Sequence, residues 1–347
     1  MKIYNFRILL KVFIIFLSYT SFGAQAALLK VKKNEKPIEA AFVVDGDTGK
    51  ILYNKNGYKK VYPASLTKLM TVYLTLERIK NNKLKLNDKF TASANAIKMQ
   101  PSKLGLKQGE QISVFDAINA LIIKSANDVA VTVAEGIAGN EEKFAKMMTN
   151  KARILGMKRT LFKNASGWHN SRQKSTAADM VKLSMALKRD FPEYMHWFSK
   201  NSFTYKGKKI NGHNNVTQNY AGAEGMKTGY TKPSGYNLVT SATRDGKNLF
   251  GVVIGSKSAI VRDEKMTTLL DKYFNRYKKR TDVFFAAGKV HNINSNKTNK
   301  SKVNNKLTQL GKIKPLTPTA KLKQYGKIRK INKNNRIASN KIAKKAS

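Results

Sequence analysis

Three short words stand in order along the chain: Ser65-Leu66-Thr67-Lys68, Ser125-Ala126-Asn127 and Lys227-Thr228-Gly229. Read as S-x-x-K, S-x-N and K-T-G, they supply the parts of a serine acyl-transfer site. A serine hydroxyl is a poor nucleophile until an adjacent base takes its proton. Lysine serves as that base only when desolvation or a second cation depresses its pKa. Ser65 and Lys68, three apart on a predicted helix, are neighbours on its surface, and Lys227 is a candidate for the second cation. A helix start at Ser65 adds partial positive charge and a backbone N–H suited to an oxyanion. Ser125 and Asn127 fall in a break between two predicted helices, where they could relay a proton and hold a substrate amide. Gly229 lies in a predicted strand and lets a substrate backbone approach, so that a bound peptide extends the sheet.

Each word alone has an ordinary structural explanation. Ser65 reads equally as a helix N-cap followed by a solvated lysine, Asn127 as the cap of the next helix, and Lys227-Thr228-Gly229 as an exposed strand end. The words also recur by chance: Ser171 to Lys174 spells S-x-x-K, and Ser93 to Asn95 and Ser199 to Asn201 spell S-x-N. What separates the first set is its order and its placement on helix, turn and strand.

The elements that must position these residues are legible in outline. Ala41 to Val44, a turn at Asp45-Gly46-Asp47-Thr48-Gly49, and Lys50 to Tyr53 predict a hairpin. Leu66, Leu69, Met70, Tyr73 and Leu74 mark one face of a helix running to about Lys80. Between Asn81 and Pro192 the pattern is mostly helical, with Ser113 as N-cap for Val114 to Lys124 and a second helix over Asp128 to Ile137. Three closely spaced runs follow, Met226 to Thr231, Tyr236 to Ala242 and Leu249 to Gly255, and favour antiparallel pairing. Arg262 to Tyr277 is an amphipathic helix able to cover that sheet. A helical subdomain is thus expected inside a split antiparallel sheet.

Composition bounds the setting. Lys2, Arg7 and Lys11, the apolar run Val12 to Leu17, and Ala24-Gln25-Ala26 read as a secretory signal peptide over residues 1–26, with cleavage after Ala26; an uncleaved anchor is the alternative. No later stretch has enough consecutive apolar residues to span a bilayer. The 347 residues carry no Cys, which excludes disulfides and thiolate metal sites. The four His residues, at 169, 196, 213 and 291, show no ligand spacing, so no metal or other cofactor is expected and each His reads as surface or core. A formal charge of +45 suits phosphate polyanions, but export argues against nucleic acid and toward anionic headgroups or wall polymers. From residue 283 to 347 there are seventeen Lys or Arg and no Asp or Glu, in a segment with little to bury. The expected organisation is a signal peptide over 1–26, a catalytic domain over 27–282 and a basic, disordered tail over 283–347, tethered electrostatically.

The stretch Pro63-Ala64-Ser65-Leu66-Thr67-Lys68-Leu69-Met70-Thr71, with Ser125-Ala126-Asn127-Asp128 and Lys227-Thr228-Gly229-Tyr230-Thr231, resembles the low-molecular-mass penicillin-binding proteins, specifically the D-alanyl-D-alanine carboxypeptidases. Gly167, Ser175 to Met180, Ser234 to Val239 and Arg262 extend the similarity, which covers roughly residues 35 to 280. It implies an α+β fold of the serine β-lactamase and penicillin-binding type, with a helix-covered antiparallel sheet and an inserted helical subdomain. By the resemblance Ser65 is the acylated nucleophile, Lys68 its base and Ser125 a proton relay. Asn127 contacts substrate, Lys227, Thr228 and Gly229 bind it, the N–H groups of Ser65 and Tyr230 form the oxyanion hole, and Arg262 adds a cation for the terminal carboxylate. The implied partners are peptidoglycan stem peptides, with β-lactams as covalent mimics. A class A β-lactamase carries a Glu that activates the deacylating water, and no Glu lies between Glu142 and Glu193 here. The implied activity is removal of the terminal D-Ala in the periplasm or cell envelope. The alternatives are a D,D-endopeptidase and a non-catalytic cationic wall-binding protein on the same fold. The tail resembles neither the β-rich second domain nor the membrane-docking helix common in that family.

Overall fold

The computed structural model describes the backbone of residues 37–294 and the side chains of residues 37–277. The chain divides into two compact units, residues 1–278 and 279–347. In the first unit a five-stranded antiparallel sheet has the order β2-β1-β9-β8-β7. Its strands are β1 (Ala40–Asp45), β2 (Ile51–Lys55), β7 (Ala223–Thr231), β8 (Gly235–Arg244) and β9 (Lys247–Ser256). The remaining strands form two small pairs, β3 (Lys89–Thr91) with β4 (Gln111–Ser113), and β5 (Ser202–Tyr205) with β6 (Lys208–Asn211). The first two strands join the last three through the β1–β9 pairing, Ala40 to Asp45 against Ile254 to Leu249. This is the split sheet expected from the hairpin and the three late runs.

The β1–β2 turn forms as its sequence dictates. Asp45 Oδ1 accepts hydrogen bonds from the N–H groups of Asp47 and Thr48, both at 2.9 Å, an Asx arrangement that closes the chain on itself.

Between the sheet halves lie α1 (Lys68–Lys80), α2 (Val114–Asn119), α3 (Asn127–Ala138), α4 (Glu141–Ile154) and α5 (Ala177–Asp190). Every residue of α1 from Lys68 to Leu76 is buried, the mark of a helix enclosed on all sides. It packs in one large apolar cluster with Ala40, Phe42 and Val44 of β1 and with the helical region around Phe144 and Met148. Because side chains alternate along a strand, Ala41 and Val43 face the other way, into a second cluster with Leu238, Leu249 and Val253. That face is covered by Met266, Leu269, Leu270, Tyr273 and Phe274 of the final helix, α6 (Ala259–Asn294).

Some expectations shift. The helix expected over Arg262 to Tyr277 runs from Ala259 to Asn294. The signal peptide, and the tail beyond Asn294, lie outside the described residues. Ser113 caps α2 as anticipated, its Oγ accepting the Asp116 N–H, but the α-helix ends at Asn119 and continues as a π-helical turn over Ala120–Lys124. The β5–β6 hairpin was not anticipated. Its strands carry one buried residue, Phe203, so no alternation announces it, and its turn is made by Lys206 and Gly207 at positive φ. Among the described residues no helix is long and apolar enough to cross a membrane.

Leu270 is wholly buried between α6 and the sheet. Leu270→Ala is expected to lower the unfolding free energy by about 2–5 kcal/mol, while Ile260→Ala, at a side chain 69% exposed on the same helix, changes it by less than about 0.5 kcal/mol. Urea unfolding midpoints of the two variants check this.

Candidate active site

Ser65 sits in a 3-10 turn, Ala64–Thr67, that leads into α1. The residue before the turn is Pro63, with no side-chain cap, so Ser65 is not an N-cap and its hydroxyl is left for other partners. The turn is set by close backbone packing. Ala64 has φ +48°, and a Cβ on Gly167, itself at φ +82°, would lie 1.9 Å from the Ala64 carbonyl oxygen. Only glycine fits there. From the other side, a Cβ on Gly229 of β7 would stand 3.0 Å from the Ser65 nitrogen. The strand therefore passes directly beside the Ser65 N–H, one of the first helical N–H groups, which have no intrahelical acceptor. Asn237 of β8 reaches the same turn, its Oδ1 accepting the Gly255 N–H and its Nδ2 lying 3.5 Å from the Pro63 carbonyl.

Lys68 is fully buried at the first position of α1. Its Nζ lies 3.0 Å from Ser65 Oγ, 2.7 Å from Asn127 Oδ1 and 2.6 Å from the Ser166 carbonyl oxygen. Two of these partners only accept. A neutral amine has two hydrogens and one lone pair, so with both hydrogens donated to Asn127 and Ser166 the lone pair is left facing the Ser65 hydroxyl. The electrostatics favour that neutral form. Burial, and then the charge of Lys227, hold the Lys68 pKa well below the usual lysine range, with Asp128 opposing them.

Ser125 follows the π-helical turn in the left-handed region, φ +61° and ψ +38°. A non-glycine residue there is uncommon and signals a constraint imposed by its surroundings. The constraint is visible: Ser102 Oγ donates to the Lys124 carbonyl at 2.9 Å and the Ser102 carbonyl accepts the Asn127 N–H at 2.7 Å. Asp128 holds the same loop, its carboxylate accepting from the backbone N–H groups of Leu104, Gly105 and Leu106. Asn127 donates its Nδ2 to the Gln100 carbonyl and gives its Oδ1 to Lys68. Asn127 thus orients Lys68 with its oxygen, uses one Nδ2 hydrogen on the Gln100 carbonyl, and also lines the cavity.

Ser65, Ser125, Asn127, Thr228, Gly229, Tyr230 and Arg262 line one open cavity of about 350 Å³. Lys68 lies beneath its floor. Lys227 is not on its wall. It is 2% exposed, donates to the Thr228 carbonyl at 3.1 Å, and borders a smaller space of about 20 Å³ behind Thr228. Burial, then the neighbouring Arg262 cation, bring its pKa down to about 7. Arg262 reaches the cavity from the first turn of α6, 4% exposed and paired with Asp263 at 2.8 Å; it is not the exposed helix-start arginine that its position allows. The competing words stay outside: Ser93 caps a short helix over Ala94–Ile97, and neither Ser171 nor Ser199 lines the cavity.

Four site residues were not legible in the words. Ser166 presents a backbone carbonyl, a group every residue carries. Ser102 acts through a loop folded back over 22 residues. Trp168, 44% exposed, forms part of the rim; its place beside Gly167, which the similarity includes, was the one available signal. His213, expected as a surface or core residue, lines the cavity.

Comparison with known proteins agrees with this geometry. DacF of Bacillus subtilis, a D-alanyl-D-alanine carboxypeptidase, is 34% identical over 248 residues, which are 69% of this chain and 62% of that protein. The chain spans about three fifths of the length of several such relatives. Among solved structures, penicillin-binding protein 5 of Haemophilus influenzae superposes with a TM-score of 0.66 at 32% identity, covering 70% of this chain and 72% of that one. Penicillin-binding protein D2 of Listeria monocytogenes, solved in an ampicillin-bound form, superposes with a TM-score of 0.61 at 33% identity, covering 66% and 95%. Residues 29–258 match the S11 peptidase family, described as D-alanyl-D-alanine carboxypeptidase, and the chain is a member of that family with the penicillin-binding-protein fold.

Proposed function

We propose that the chain is a serine D-alanyl-D-alanine carboxypeptidase that removes the terminal D-Ala from peptidoglycan pentapeptide stems. The observation that carries this reading is the buried Lys68 amine, 3.0 Å from Ser65 Oγ and bonded otherwise to two acceptor-only partners, an arrangement in which a neutral amine would offer its lone pair to the serine. Ser65 Oγ attacks the carbonyl carbon of the penultimate D-Ala as its proton passes to Lys68 Nζ. The oxyanion is received by the N–H groups of Ser65 and Tyr230. Collapse breaks the peptide bond, and the proton reaches the departing D-Ala nitrogen through the Ser125 hydroxyl. Water then attacks the acyl-Ser65 ester with the same groups acting in reverse, releasing the shortened stem and restoring Ser65. Thr228 and Arg262, both on the cavity wall, meet the terminal carboxylate, and Lys227 adds charge from behind Thr228. The edge position of β7 lets a stem peptide pair beside Gly229.

The same site supports covalent capture of β-lactams, whose strained amide takes the place of the scissile bond. Among the described residues lining the cavity there is no Asp or Glu to activate water against the resulting ester.

We also propose that residues 1–26 direct export and that the basic segment 283–347 tethers the enzyme to an anionic surface. The support is compositional. Sixteen of its seventeen cations lie beyond Asn294, and at about 1 kcal/mol for each one near the surface, a handful suffices for reversible attachment.

Three outcomes follow. Mass spectrometry of a mixed monomer and dimer muropeptide digest should show pentapeptides losing one Ala with the enzyme and not with its Ser65→Ala variant; splitting of dimers would establish the endopeptidase instead, and no change in either would leave the wall-binding protein. A penicillin should label Ser65 in a burst of one equivalent and be released at least about a thousandfold more slowly than a true β-lactamase would release it, so rapid turnover in a spectrophotometric assay would overturn the carboxypeptidase assignment of the site. Deletion after Asn294, which leaves α6 whole, should abolish sedimentation with vesicles rich in anionic lipid at low salt, and unchanged sedimentation would refute tethering.

A further inference from the structure

The cleft wall carries a titratable group that belongs to none of the three words. His213 stands on the loop between β6 and the short helix Asn215–Asn219, and it borders both the large cavity and the smaller space behind Thr228. The charged groups around it are cations. Lys124, closing the π-helical turn, and Lys227 on β7 act on it electrostatically. Lys200 shares the smaller space and Arg262 the larger. Arg262 has Asp263 as a partner, but no Asp or Glu among the described residues lines either space. The loop therefore places an imidazole where, among the described residues lining the two spaces, an incoming anion would meet no carboxylate.

We propose that His213 is a specificity-determining residue for substrates that end in a carboxylate, taking up a proton when such an anion enters the cleft and joining Lys227 and Arg262 as a third cation around it. This rests on the carboxypeptidase reading above, which brings a terminal carboxylate to Thr228 and Arg262. In the empty cleft, partial desolvation, then Lys124 and Lys227, hold the imidazole below its ordinary 6.5 and favour its neutral form. A bound anion reverses the field at the ring. By linkage, the factor by which protonation of His213 strengthens anion binding equals the factor by which the anion strengthens protonation.

The sign is then fixed. As far as His213 sets it, affinity for the carboxylate is lower above the His213 pKa in the complex. It rises as pH falls through that value and levels off below the pKa in the empty cleft, which lies under 6.5. Lys227, with its pKa near 7, gives a second step in the same direction at higher pH. Of the two steps, only the lower belongs to His213. An imidazole that merely packs against the cleft wall gives no such step.

The test is calorimetric titration of the full chain carrying Ser65→Ala, which removes the chemistry, with a peptide ending in D-Ala-D-Ala and with the same peptide capped as its C-terminal amide, from about pH 5 to about pH 8.5. The carboxylate peptide should tighten in two steps as pH falls, the lower of about fivefold, the size expected of one unit charge near another in a solvated cleft; the amide should show neither. Adding His213→Gln should delete the lower step and keep the upper. His213→Arg should carry the tighter binding up to about pH 8. In the Ser65→Ala protein, the NMR titration of His213 should move to higher pH when the carboxylate peptide is bound, which a packing role would not produce. A lower step that survives His213→Gln, or a His213 titration unmoved by the peptide, overturns the proposal and leaves the carboxypeptidase standing. A peptide that binds at no pH overturns both.

Discussion

The burial of one amine organises this molecule. A lysine ammonium withdrawn from water carries a penalty of several kcal/mol unless it is paired, and Lys68 is wholly buried with no carboxylate bonded to it. The protein meets that penalty by disfavouring the charge rather than by pairing it, which lowers the proton affinity of the amine. Every element that touches Lys68 then has a second duty. α3 supplies the Asn127 oxygen, the segment after α4 supplies the Ser166 carbonyl, and β7 supplies the Lys227 cation that keeps the proton off. Were any of these displaced, the lone pair would lose its direction or the amine its neutrality.

The architecture serves this arrangement by sealing α1 on every side. The residue that needs desolvation is at the start of that helix, and the residue that needs access, Ser65, is in the turn just before it, only partly buried. One turn of chain thus crosses from solvent to interior. Glycines hold the crossing in place, because only Gly167 admits the Ala64 carbonyl at such short range and only a small residue at 229 lets β7 run beside the Ser65 N–H. The wall opposite is held as tightly: the left-handed conformation of Ser125 is secured by Ser102 and by the Asp128 carboxylate, which gathers three backbone N–H groups of the same loop.

Charge completes the site in layers. Lys227 and Arg262 are both nearly inaccessible, and the arginine lowers the proton affinity of the lysine; their field reaches the cleft through Thr228 and through the edge of Arg262 that lines it. A cleft with Arg262 on its wall, Lys227 behind it and, among the described residues, no carboxylate lining it favours anionic ligands.

Much of this was written in the sequence. The hairpin, the three late strands, the buried helix after Ser65 and the cap at Ser113 follow from alternation, helical periodicity and capping chemistry, which are local and survive in one dimension. The three words named Ser65, Lys68, Ser125, Asn127, Thr228 and Gly229, because reactive groups at fixed spacing on recognisable elements are also local. Tertiary structure decided what depends on partners distant along the chain. It bonded Asn127 to Lys68 and the Gln100 carbonyl, withdrew Lys227 behind Thr228, buried Arg262, and brought in a carbonyl at Ser166 and an imidazole at His213 that no spacing announces. A backbone carbonyl has no sequence signature, and the proton affinity of a lysine is set by the surrounding solvent and charge, which exist only once the chain has closed around it.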